Sequence, residues 1–134
     1  MKNDDEWRKE LSPEAYAVLR EKATEAPYSG KLLQNKETGM YMCGACGAEL
    51  FSSSAKYDST EPGLEGWPSF SEVTDNKAIQ IKEDLSHGMQ RLEVVCANCG
   101  SHLGHVFKAD DSPSGIHYCI NSVALDFKKA KQKQ

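Results

Sequence analysis

Between Leu11 and Ala23 the apolar residues Ala15, Val18, Leu19 and Ala23 recur every three or four positions, with Lys22 alone interrupting the stripe. That period predicts an amphipathic helix. Ser12 suits the N-cap and Pro13 the first helical position, where a missing N–H costs nothing. Leu11 and Tyr16 fall at the two positions of a hydrophobic staple. Pro27 predicts the helix end, because proline pushes the residue before it out of the α region. Ahead of this helix, the first ten residues carry seven charges and are expected to fray.

From Gly39 onward the period shortens. Lys77-Ala78-Ile79-Gln80-Ile81-Lys82 alternates apolar and polar positions, as a half-buried strand does. His87-Gly88 predicts a turn, and Met89 to Val95 the antiparallel partner strand. Further strands are expected at His102–Phe107, His117–Ile120 and Val123–Phe127. Connections rich in Ser, Asp, Gly and Pro separate them, notably Ser52–Gly66 and Lys108–Gly115. The last seven residues, 128–134, read as a basic, flexible tail.

Composition narrows the function classes. The 134 residues suit one domain of ordinary size, with too little chain for two cores. A formal charge of −4 gives no positive field for nucleic acid. No apolar run approaches the roughly 20 residues needed to span a bilayer, and the acidic N-terminus lacks the apolar stretch of a secretory signal. The expectation is a cytoplasmic protein without nucleic-acid or membrane partners.

Five cysteines then change the picture. Four form two copies of C-x-x-C-G: Cys43-Gly44-Ala45-Cys46-Gly47 and Cys96-Ala97-Asn98-Cys99-Gly100. Each turn offers two sulfurs to one ion, the trailing glycine permits the tight bend, and four thiolates complete a zinc tetrahedron. With every position taken, such a zinc is structural, bolting together two hairpins distant in sequence and contributing on the order of 10 kcal/mol to folding. A redox dithiol is the weaker reading, since that motif usually stands once beside a βαβ unit. A local set of Cys96, Cys99, His102 and His105 would strand Cys43 and Cys46.

The fifth, Cys119, lies in His117-Tyr118-Cys119-Ile120-Asn121-Ser122. Strand alternation puts it on one face with His117, Asn121 and Val123. A polar face favours a reactive thiol over a buried filler. With a free pKa of about 8.5, such a thiol needs help to act as a nucleophile. His102 and His105, in His102-Leu103-Gly104-His105-Val106-Phe107, are the candidate helpers.

Together with Thr24–Gly30 and Gly66-Trp67-Pro68-Ser69-Phe70, these tracts resemble the methionine-R-sulfoxide reductase (MsrB) family, in the family's order and over residues 11–127. The resemblance implies a single catalytic domain there: mainly β with short N-terminal helices, two antiparallel sheets clamped by zinc in a β-tent. It implies reduction of the R epimer of methionine sulfoxide, chiefly within oxidised proteins. Cys119 would be the nucleophile and become a sulfenic acid. Trp67 would face the substrate's methyl group, and Phe107 would form an apolar wall. His102, His105 and Asn121 would orient the oxygen, His105 being the preferred proton donor. Cys43, Cys46, Cys96 and Cys99 would hold zinc.

Two positions depart from the family pattern. Glu65 stands where many members carry a resolving cysteine, so the expected reductant is an external thiol, thioredoxin or another, acting on a monomer. His117 replaces a common arginine and is left outside the catalytic set. The rivals are a zinc-clamped module that binds small ligands without catalysis, and a cysteine hydrolase built on Cys119 and His105, which lacks a third orienting group.

Overall fold

In the computed structural model, residues 4–130 are described, apart from 62, 86, 87 and 89. Within the N-terminal segment expected to fray, Asp4–Glu10 forms a helix, α1. Its one large apolar residue, Trp7, is buried, with the Arg20 guanidinium 5.6 Å from its ring. A tryptophan with a neighbour to cover it orders a segment that its charges alone would not.

The second helix, α2 (Pro13–Glu21), begins as its sequence predicts, with Ser12 Oγ accepting from the Ala15 N–H. It ends earlier than Pro27 implies. Lys22 takes a left-handed conformation, φ 61°, and Ala23 N–H turns back to Ala17 O. Ala23 therefore leaves the helical face.

Among the described residues, nine strands form two antiparallel sheets. In the smaller, β1 (Gly39–Cys43) lies between β2 (Glu49–Ser52) and β9 (Leu125–Lys129). The larger has the order β3 (Lys56–Tyr57), β4 (Ser69–Phe70), β8 (Ile116–Ile120), β7 (His102–Lys108), β6 (Arg91–Cys96), β5 (Ile79–Asp84). The expected β5–β6 pair exists, but β5 starts two residues late because Asp75 caps a 3-10 turn at Asn76–Ala78. As an edge strand, β5 leaves Ile81 45% exposed, so its alternation does not translate into burial. Lys128 and Lys129, expected in a free tail, pair with Met40 and Gly39. Of the predicted turn at His87-Gly88, Gly88 has φ 69°, while His87 and Met89 lie outside the described residues, as do 131–134.

The sheets meet over an aromatic core. Phe51 stacks on Phe70 at 4.3 Å, Tyr41 meets Phe70 edge-on at 5.0 Å, and Phe127 and Tyr118 close the cluster. Tyr41, Phe51 and Phe70 are fully buried. Among the described residues no helix is long and apolar enough to cross a membrane.

Candidate active site

Cys43 ends β1 and Cys96 ends β6, so the two C-x-x-C turns join the two sheets. The turns are built alike. Gly47 N–H donates to Cys43 O and Gly100 N–H to Cys96 O, with both glycines at positive φ, 81° and 75°. The four sulfurs lie within 4.8 Å of one another, with Cys43–Cys99 and Cys46–Cys96 separations of 3.7 and 3.6 Å. Tetrahedral Zn–S bonds of 2.3 Å place sulfurs about 3.8 Å apart, so the set fits zinc. Proton affinity agrees: hydrogen bonds from its neighbours hold the Cys99 thiol far below the ordinary range, while bonds to Cys96 and Cys99 hold Cys43 far above it. Arg20 braces the second turn through Cys99 O (2.9 Å) and Ser101 Oγ (3.1 Å). His102 and His105 are engaged elsewhere, which removes the local Cys2His2 set.

Cys119 stands in a row that crosses the large sheet. Cross-strand partners run Lys82, Glu93, His105, Cys119, Ser69, Tyr57. Directly opposed residues project from the same face, so His105 is the neighbour of the Cys119 thiol on one side and Ser69 on the other. His102 is three positions from His105, which regular alternation would send to the opposite face. A bulge intervenes: Val94 pairs with Gly104 but Val95 with His102, leaving Leu103 as the extra residue. Leu103 turns into the core, and the two imidazoles meet at 5.5 Å. Phe107 lies 6.4 Å beyond His105.

The 24–30 tract wraps the far end of β8. Trp67 Nε1 donates to Glu25 O (3.0 Å), Glu25 N–H to Asn121 Oδ1 (3.1 Å), and Val123 N–H to Glu25 Oε1 (2.9 Å). Asn121 Nδ2 donates to Leu103 O (3.0 Å). Asn121 thus ties three segments together through its amide. An open groove of about 1120 Å³ is lined by this tract together with Val123, Leu125 and Phe127. Neither Cys119 nor Trp67 lines it.

Burial, and then the Glu25 carboxylate, push the Cys119 thiol up to about 12. The free site therefore holds a half-buried thiol, not a thiolate. Burial lowers His102 against the opposing pull of Glu93, and lowers His117 as well. His117 is fully buried, hydrogen-bonded through Nε2 to Ser69 Oγ (2.8 Å), with Nδ1 3.9 Å from Asp111 Oδ1.

The structure brings Cys119, His105 and His102 to one face, with Phe107 beside His105 and Trp67 two residues before β4. Asp84 and Glu93, each 2.7 Å from one of these imidazoles, carry no motif. The available signal is positional. Glu93 alternates in phase with Val95 on a strand whose neighbours are apolar.

The SelR domain family model matches residues 11–129. The chain is 53% identical over 131 residues to "Peptide methionine sulfoxide reductase MsrB" of Methanosarcina barkeri, covering 98% of this chain and 89% of that protein. It is 48% identical over 128 residues to the protein of the same name in Leptospira interrogans, covering 96% and 95%. Among solved structures, the Mis18 "Yippee-like" domain aligns at TM-score 0.53 and 17% identity over 72% of this chain and all of that one, a likeness of fold.

Proposed function

The chain belongs to the SelR-domain family of MsrB peptide methionine sulfoxide reductases, and from that premise we propose that it reduces the R epimer of methionine sulfoxide in oxidised proteins, with Cys119 as nucleophile. It is an oxidoreductase acting on a sulfur group. The observation that carries the assignment to Cys119 is the partition of sulfurs. Four of the five cysteines are gathered in one cluster, and the fifth stands beside His105 on a polar row.

The reaction must move one oxygen. Cys119 sulfur bonds to the sulfoxide sulfur, and the S–O bond breaks as its oxygen is protonated. Oxygen at the level of water then bonds to Cys119 sulfur as the transient sulfur–sulfur bond breaks, leaving a sulfenic acid on Cys119 and a thioether. Because burial keeps the resting thiol protonated, its proton must leave as the bond forms. His105, opposite Cys119, is the nearest candidate on the row to carry that proton to oxygen. Trp67, held by its Nε1–H on Glu25 O, offers an indole face to the methyl–sulfur group, a contact of roughly 0.3–1.5 kcal/mol. Bound zinc supplies folding energy and fixes the two sheets to each other.

The sulfenic acid then reacts with two external thiols, releasing water and a disulfide and restoring Cys119. Glu65 and the clustered quartet leave no spare cysteine in this chain for an internal disulfide. Thioredoxin is the proposed donor to a monomeric, cytoplasmic enzyme. The binding-module reading is not favoured: relatives at about half identity over nearly the whole chain carry the reductase name. The test is turnover of both epimers of dabsyl-methionine sulfoxide with dithiothreitol by wild type and Cys119→Ser. The expected result is R-epimer turnover in wild type alone. Activity in Cys119→Ser would refute the assignment.

A further inference from the structure

Two buried carboxylates stand behind the site histidines. Asp84, the last residue of β5, is 5% exposed, and its Oδ2 lies 2.7 Å from His105 Nε2. Glu93 on β6 is equally buried, and its Oε2 lies 2.7 Å from His102 Nδ1. Each also faces a cation: Arg91 Nη2 is 3.6 Å from Asp84 Oδ2, and Lys22 Nζ 3.2 Å from Glu93 Oε1. Lys22 reaches Glu93 from the left-handed residue that ends α2. Burying a carboxylate is costly, and apolar residues often stabilise a core as well or better. Two such groups aimed at adjacent rings therefore suggest a purpose beyond packing.

The pairs engage opposite nitrogens. An ionised carboxylate accepts hydrogen bonds and donates none. Neutral His102 then carries its hydrogen on Nδ1, and neutral His105 on Nε2. The bare nitrogens are His102 Nε2 and His105 Nδ1. His102 Nε2 is buried without a hydrogen-bond partner, a state that a polar interior atom keeps only at a cost. His105 is the cross-strand neighbour of Cys119, and the bulge at Leu103 sets the His102 ring beside it.

We propose that Asp84 and Glu93 are positioning residues of the reduction, locking His105 and His102 into opposite tautomers so that each ring keeps one bare nitrogen available for proton transfer. The inference rests on the reductase reading and specifies its proton path. A bare imidazole nitrogen takes the proton leaving Cys119, and the imidazolium so formed gives it to the sulfoxide oxygen, leaving the histidine neutral and the net proton count unchanged. Asp84 and Glu93 act through the rings and do not touch substrate. They hold the rings and stabilise the transient positive charge. Among the described residues, the charged and titratable groups around the two rings include Asp84, Glu93, Arg91, Lys22, Lys82 and Cys119.

The experiment is a long-range 1H–15N spectrum of the imidazoles in zinc-loaded protein at pH 8, assigned with single-histidine variants, together with kinetics of Asp84→Asn and Glu93→Gln. The expected spectrum shows His102 as the Nδ1–H tautomer and His105 as the Nε2–H tautomer. Each amide variant is expected to lower kcat on the order of a hundredfold, leave KM within about threefold, and disturb the tautomer of its own histidine. A purely structural role would not divide the effect between kcat and KM in this way. The same tautomer on both rings would overturn the proposal, and that reading needs no variant to fold. Wild-type kcat in both amide variants would overturn it too, while leaving the reductase reading intact. A wild type that fails to turn over either epimer would remove the reductase reading and, with it, this proposal.

Discussion

Replacing Gly104 with alanine should loosen β8 and displace Cys119 in one step. A Cβ at Gly104 would lie 2.0 Å from the Cys119 carbonyl oxygen and 2.9 Å from Ile120 Cα, backbone atoms that cannot rotate away. Carbon–oxygen contacts between strands sit near 3.3 Å, so β7 and β8 must part by about 1 Å or more. That gap stretches the ladder bonds around the Gly104–Ile120 and His105–Cys119 pairs beyond useful length. Overpacking of this kind costs about 1–3 kcal/mol, and one or two weakened backbone bonds add about 1 kcal/mol each. The expected loss is roughly 2–5 kcal/mol of a total that is typically about 5–15. A nucleophile misplaced by 1 Å loses on the order of a hundredfold in rate. Gly115→Ala is the control: its φ is 80° and no atom lies within 4 Å of the added carbon. It should cost only the left-handed penalty of about 1–2 kcal/mol and leave kcat unchanged. Urea unfolding of zinc-loaded protein and R-epimer turnover read both effects. A Gly104→Ala protein as stable as the Gly115→Ala control, with wild-type kcat, would refute the packing argument.

Two further outcomes follow from the sulfur quartet and the buried imidazoles. Cys99→Ser, or a strong chelator, should remove zinc and most of a contribution on the order of 10 kcal/mol, seen as one zinc per chain lost with cooperative unfolding; a cooperative, native-like transition in metal-free protein would contradict it. His102 and His117 are both held below the ordinary imidazole value by burial, so below about pH 6.5 the unfolded chain binds protons that the folded chain does not. Stability is then full above that pH and falls as the pH drops toward the folded-state values. His117→Gln should flatten the fall between pH 6.5 and 5 by up to about 1 kcal/mol per pH unit, and urea midpoints with the same slope as wild type would contradict it.

Much of this site is local in origin and therefore legible in the chain. The knuckles depend on a two-residue spacer and a glycine at positive φ, and both are written in consecutive residues. The Ser12-Pro13 start of α2 is of the same kind. The features that escape a linear reading are set by a partner strand or a packed neighbour. Strict alternation separates His102 from His105; only the pairing of β7 with β6 creates the bulge that reunites them. Asp84 and Glu93 look like solvated strand residues until their cross-strand neighbours are known. Lys22 ends α2 in a conformation costly for a side chain with a Cβ, and its ion pair with Glu93 arises only in the folded chain. Trp7 orders α1 because Arg20 and α2 are there to cover it.

The central claim is that one thiol, outside the metal cluster, receives the oxygen. Mass spectrometry of zinc-loaded protein after a single turnover of methionine-R-sulfoxide, with no reductant and with dimedone as trap, measures this directly. The account predicts one dimedone adduct per chain, on Cys119, with zinc retained and no intramolecular disulfide. A disulfide joining Cys119 to Cys43, Cys46, Cys96 or Cys99, or a trapped oxygen on one of those four with Cys119 untouched, would contradict it.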